Sequence, residues 1–266
     1  AVFTNKLITL ANGWGLHTRI SREVTRSHLP PFVLVHGLSV SSGYLMPTAH
    51  RLAAFSHVYV PDLPGFGRSP NPTSILNIDE MANAFVPWMQ QLGLDSAIFL
   101  GNSLGCQIIA NLAAHHPERV EQAILVSPTM DPRALTIHQE FGRLLRDALC
   151  EPLHFLPVLL GEYLQAGILR TIRTLQYAFA DPVEKHLRQM HAPTLVVRGS
   201  RDPIIPQSWA EKVARLLPHS QFTVIQGAAH AVNYDAPEKL VDAVLAFLRS
   251  HRDEADFSDT RQKEWA

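Results

Sequence analysis

A serine set between two glycines, where an apolar run gives way to a helical pattern, is the first feature of this sequence suited to chemistry. Residues 97–115 read AIFLGNSLGCQIIANLAAH, so Ser103 stands between Gly101 and Gly105. A sharp strand-to-helix turn at that point exposes the hydroxyl above a sheet, and the glycines relieve the crowding that such a turn creates. The Leu104 N–H then lies at a helix N-terminus, where it and the helix dipole can stabilise a developing oxyanion. Gly-x-Ser-x-Gly alone is also an ordinary turn; its setting is what makes Ser103 a candidate nucleophile. A hydroxyl is almost wholly protonated near neutral pH and needs a base. The sequence has 14 histidines, and position relative to strand ends separates them. His230 follows the run FTVIQG in a loop of small residues, QGAAHAVN, at the end of a strand where open α/β sheets bind ligands. His115 and His116 precede Pro117 at a helix end, a capping position, and His17, His186 and others read as surface or packing residues. The base needs a carboxylate to hold its tautomer. Asp202, in GSRDPIIP just past the run TLVVRG, is the candidate, and Asp131, after AILVSPTM, is its rival.

These residues require strand ends to carry them. The runs Phe32–Gly37, His57–Asp62, Ala97–Gly101, Ala123–Pro128, Thr194–Gly199 and Phe222–Gly227 are continuously apolar, the pattern of strands buried on both faces. Helical spacing fills the segments Asp79–Leu92, Leu104–His115, Pro206–Leu217 and Pro237–Ser250. Alternation of this kind predicts a doubly wound, mostly parallel α/β sheet. Before it, KLITLANGWGLHTRIS reads as a hairpin turning at Asn12-Gly13. Residues 129–190 carry helical patterning with no strand and are expected to form a helical cap inserted after the sixth strand. The core is then 1–128 and 191–250, and 251–266 is a polar, frayed tail.

Composition narrows the class. Of the 266 residues 46% are hydrophobic and 18% charged, and the net charge is −1, which suits one large core and gives no basic excess for nucleic acid. Two cysteines, Cys106 and Cys150, exclude a disulfide scaffold. Cys106 reads as a small core residue on the first turn of a helix. Ser96–Pro117 carries no Asp, Glu, Lys or Arg, yet its glycines, Asn102, Gln107, Asn111 and histidines argue against a membrane span. With no visible signal peptide the expected location is cytoplasmic, although a first residue other than Met leaves earlier processing open. No histidine pair has metal-binding spacing with a carboxylate and no phosphate-binding glycine loop occurs, so neither metal nor cofactor is expected.

The segments VHGLSVSSGY (Val35–Tyr44), DLPGFGRS (Asp62–Ser69), GNSLG, GSRDPIIP and GAAHAVNYDAPE (Gly227–Glu238) follow one another in an order that resembles the α/β-hydrolase superfamily, in its capped single-domain branch. The resemblance implies a catalytic triad of Ser103, Asp202 and His230. It places the second oxyanion donor at the N–H of Leu38, beside that of Leu104. It makes His36 a brace for the oxyanion loop and gives the Gly65–Gly67 loop a structural role. Ser103 argues against the dehalogenase and epoxide hydrolase branches, which use Asp at that position. Carbon–carbon bond hydrolases share a similar elbow, but Cys106 and the Ala231 that follows His230 depart from their pattern. Cofactor-free haloperoxidases and ligand-sensing receptors share the fold and stand as alternatives. The expected activity is hydrolysis of small carboxylic esters, with lactones and thioesters open, through an acyl-enzyme. Tyr44, Met46, Phe141, Leu145, Leu160 and Tyr163 are expected to line the substrate pocket. Because the triad and both donors lie outside 129–190, that segment is expected to select the substrate and add little to the chemical step.

Overall fold

Alternate residues of a strand point to opposite faces of a sheet, so a strand that is apolar at every position must be covered on both sides. The computed structural model describes residues 1–22, 29–129, 161 and 166–264, the last thirteen by their backbone alone. Eight strands form one sheet: β1 (Phe3–Thr9), β2 (Gly15–Ser21), β3 (Phe32–Val35), β4 (Val58–Pro61), β5 (Ala97–Asn102), β6 (Val120–Val126), β7 (Thr194–Gly199) and β8 (Ser220–Ile225). Their spatial order is β1-β2-β4-β3-β5-β6-β7-β8. All six apolar runs are strands, and every residue of β3, β5 and β7 is buried. The first two strands form the expected antiparallel hairpin, and Gly13 takes a φ of 83° at its turn. β2 also runs antiparallel to β4, and every later pairing is parallel.

The two faces carry separate apolar clusters. Val33, Val35, Phe99, Leu125 and Val196 face a layer of α2 (Ile78–Leu92), α3 (Leu104–His115), α5 (Val183–Gln189) and α6 (Gln207–Leu216). Phe32, Leu34, Ile98, Leu100, Ile124 and Val197 face α1 (Met46–Leu52), α7 (Val232–Asp235) and α8 (Pro237–Glu264). Local signals set the ends of α2: Asn77 and Glu80 form a reciprocal capping box, and Gly93 closes the helix in the left-handed conformation.

Two elements differ in extent from the sequence reading. The last helix runs on to Glu264 instead of ending near Ser250 in a frayed tail. Residues 251–264 contain neither Gly nor Pro to stop it. Helix α5, within the segment expected to form the cap, packs beside α3, and its Val183 and Leu187 are buried in the sheet-flanking cluster. Helix α4 (Ile168–Ala180) begins at Gly167 (φ 79°) and lies near the loops that follow β3 and β4. Among the described residues no helix is long and apolar enough to cross a membrane.

Candidate active site

The chain leaves β3 toward β4 on one side and leaves the neighbouring β5 toward β6 on the other, so the connections part at the carboxyl ends of β3 and β5, the place where open α/β sheets bind ligands. Ser103 stands at the end of β5 with φ 56° and ψ −119°, a conformation that non-glycine residues rarely adopt. Its N–H donates to the Val126 carbonyl, and its own carbonyl accepts from the Cys106 N–H and the Thr129 hydroxyl, each at 3.0 Å. The flanking glycines are sterically required. A Cβ on Gly101 would lie 2.7 Å from the Gly105 carbonyl carbon, and one on Gly105 would collide with the Val35 carbonyl oxygen. β3, β5 and α3 therefore approach each other only because both positions lack side chains.

Two other strand ends supply an ionisable pair. His230, after β8, and Asp202, after β7, are both buried, with His230 Nδ1 3.0 Å from Asp202 Oδ2. The other carboxylate oxygen accepts from the N–H groups of Ile204 at 2.8 Å and Ile205 at 2.9 Å. Burial pushes the Asp202 carboxyl upward, but His230, through its charge and hydrogen bond, and the Ile205 N–H outweigh it and hold the group below the usual carboxylate range. An ionised Asp202 selects the His230 tautomer with the proton on Nδ1. Gly199 makes the approach possible, because a Cβ there would collide with the Ala229 carbonyl oxygen.

A buried hydrogen-bond chain ties these strand ends together. The Gly37 N–H donates to the Tyr44 hydroxyl at 3.0 Å, and that hydroxyl donates to Asn102 Oδ1 at 2.7 Å. Asn102 Nδ2 donates to the His230 carbonyl at 3.1 Å. The loop after β3, the serine turn and the histidine loop thus share one network. Among the described residues, neither the Leu38 N–H nor the Leu104 N–H donates to a protein acceptor. His36 is fully buried; its Nδ1 donates to the Gly37 carbonyl at 2.8 Å and its Nε2 accepts from the Leu63 N–H at 2.9 Å. That pairing requires neutral imidazole, and burial pushes its pKa down to match.

Residues 32–243 match the model of the alpha/beta hydrolase family. The chain belongs to that family. It is 28% identical over 240 residues to the dihydrolipoyllysine-residue acetyltransferase component of the acetoin cleaving system of Pseudomonas putida, covering 83% of this chain and 64% of that protein. It is 25% identical over 245 residues to carboxylesterase YbfK of Bacillus subtilis, covering 82% and 80% respectively. The chain thus spans less than two thirds of the first relative's length. In fold it is similar to an esterase from Exiguobacterium antarcticum, with a TM-score of 0.79 at 19% identity over 92% of this chain and all of that one.

Within this alpha/beta hydrolase, Ser103, Asp202, His230 and Leu38 lie on loops or turns that follow strands β5, β7, β8 and β3, and Leu104 is the first residue of α3. Tyr44 is buried with its hydroxyl engaged as above, and Met46 is half-buried at the start of α1. Phe141, Leu145, Leu160 and Tyr163, together with Asp131 and Cys150, lie outside the described residues. The Cys106 thiol donates to the Gly101 and Val126 carbonyls at 3.3 and 3.4 Å, and burial pushes it well above the usual thiol range. Sequence reasoning missed Asn102. The available signal was a polar residue ending an otherwise apolar strand, which must find partners when buried.

Proposed function

We propose that this alpha/beta hydrolase cleaves carboxylic esters through an acyl-enzyme on Ser103. His230 takes the Ser103 proton as the hydroxyl attacks the carbonyl carbon. It returns that proton to the leaving alcohol, then activates a water to release the acid. Asp202 holds the imidazole and stabilises its charged form. The N–H groups of Leu38 and Leu104 receive the tetrahedral oxyanion. The observation that carries this reading is the buried Asp202–His230 pair at 3.0 Å, whose loop Asn102 ties to the serine turn at 3.1 Å. The carboxylesterase among its relatives supports the ester as substrate. In this reading residues 1–128 and 191–250 carry the catalytic groups, α5 packs with them beside α3, and the rest of 129–190 selects small, largely apolar substrates.

The test is a panel of p-nitrophenyl esters of graded acyl length, run beside one lactone and one vinylogous diketone. Multiple turnover on esters is expected. Cleavage of the diketone with no ester turnover would move the chain to carbon–carbon bond hydrolysis, and a single slow turnover with product retained would indicate sensing. Ser103→Ala is expected to abolish both turnover and covalent labelling by a fluorophosphonate with the fold intact, whereas Cys106→Ser keeps most activity. Labelling that survives Ser103→Ala would refute the nucleophile.

A further inference from the structure

Helix α4 meets the oxyanion loop through one pair of hydroxyls. Thr171, in its first turn, has Oγ1 2.6 Å from Ser39 Oγ and donates to the Gly167 carbonyl at 3.1 Å. With the Thr171 proton directed at Gly167, the Ser39 hydroxyl is the donor between them. Ser39 is fully buried and has a φ of 57°. A non-glycine residue in the left-handed region is strained and persists where its surroundings hold it there. Ser39 directly follows Leu38. On the other flank the Gly37 N–H is bound by the Tyr44 hydroxyl at 3.0 Å. Leu38 therefore presents its N–H from a three-residue stretch pinned at both ends, by Tyr44 from the core and by Thr171 from α4.

We propose that Thr171 is a positioning residue for catalysis: through Ser39 it aims the Leu38 N–H at the developing oxyanion, so that docking of α4 completes the oxyanion hole. This rests on the proposed role of Leu38 as an oxyanion donor. It also departs from the expectation that residues 129–190 act on substrate choice alone. Without the Thr171 acceptor, Ser39 can relax toward negative φ, and the adjoining Leu38 peptide turns with it. An oxyanion donor works within about 2.7–3.1 Å of the oxyanion, so a small rotation weakens the bond. The loss falls on the transition state, where the charge is present, more than on the bound ester.

Four single variants of the full chain, Thr171→Val, Ser39→Ala, Ser39→Gly and Thr171→Ser, and one double variant test this. Thr171→Val and Ser39→Ala are expected to lower kcat on the acetate and the longer esters alike, by about 10-fold and short of the 10²–10³-fold that follows outright loss of a donor. KM should hold, and affinity for a trifluoromethyl ketone, whose adduct carries the oxyanion, should fall with kcat. The double variant Ser39→Ala/Thr171→Val should be no worse than either single one. Ser39→Gly accepts the left-handed backbone without strain, so it tests the hydroxyl in a chain that folds; it should lose kcat as Ser39→Ala does. Thr171→Ser should restore kcat. A change confined to KM or to acyl-length preference would overturn the proposal, as would additive losses or ketone affinity unmoved by Thr171→Val. If the parent fails to turn over esters, or Ser103→Ala still labels, the Ser103 esterase reading fails; normal parent turnover with a Thr171→Val enzyme of equal kcat sinks the Thr171 proposal alone.

Discussion

Asp202 gives both oxygens to the protein, one to His230 and the other to two backbone N–H groups, so its replacement changes a tautomer more than a shape. Asp202→Asn presents an amide where the imidazole expects a carboxylate and favours the proton on the wrong ring nitrogen. Turnover should fall by about 10⁴-fold, as loss of this member does in other triads, while circular dichroism stays native-like. A loss under tenfold, read by steady-state kinetics, would move the orienting role elsewhere, with Asp131 the first alternative to test. Ser103, Asp202 and His230 were legible in the sequence because each follows an apolar run and stands among residues suited to tight turns. Tyr44 and Thr171 were not legible as braces. Their partners Asn102 and Ser39 lie 58 and 132 residues away, and no local pattern announces a bond across that distance.

Most elements long enough to show a period were read to within a few residues of their ends, the last helix excepted, and the shortest helices were missed. Helix α1 and the turn of 3₁₀-helix at Ser42–Leu45 occupy eleven residues between them, too few for a period to emerge, and they follow the oxyanion loop directly. They matter because they deliver the Tyr44 hydroxyl to Gly37. Apart from Gly101 and Gly105, whose crowding the turn motif announces, close approaches between elements were not legible from the glycines alone. Gly199 marks one of them: the histidine loop passes over the end of β7 where a methyl group would meet the Ala228 and Ala229 carbonyl oxygens. Gly199→Ala should therefore displace His230, lowering kcat and the melting temperature together. A domain of this size shifts by about 2–4 °C per kcal/mol. Gly13→Asn is the control, since a Cβ there meets nothing within 4 Å and Asn tolerates the left-handed region. Unchanged activity in Gly199→Ala would mean that the loop can rearrange without disturbing the pair.

At the scale of the whole molecule, three buried groups among the described residues contribute to the response to acid. Burial pushes the Asp62 carboxyl up, but its hydrogen bond with His17 and the N–H groups of Arg68 and Ser42 bring it far below its ordinary value. Asp202 is lowered too, and His36 is held neutral. In each case the folded chain binds fewer protons than the unfolded one, so stability falls as pH drops. His36 contributes below about pH 6.5, and the carboxylates below about pH 4. The melting temperature should decline in two stages, and Asp62→Asn should start lower yet lose less between pH 5 and 3. Equal slopes for parent and variant would remove Asp62 from this account. The arrangement of the sheet also bears on synthesis. From β5 onward each new strand is laid on the outside of the one before it, β6 on β5, β7 on β6 and β8 on β7. A chain leaving the ribosome can shape the Ser103 turn while the strands that carry Asp202 and His230 are still unmade. On the proposed mechanism, until β8 docks the nascent protein holds a serine with no base, and that serine would become reactive only when the sheet is finished.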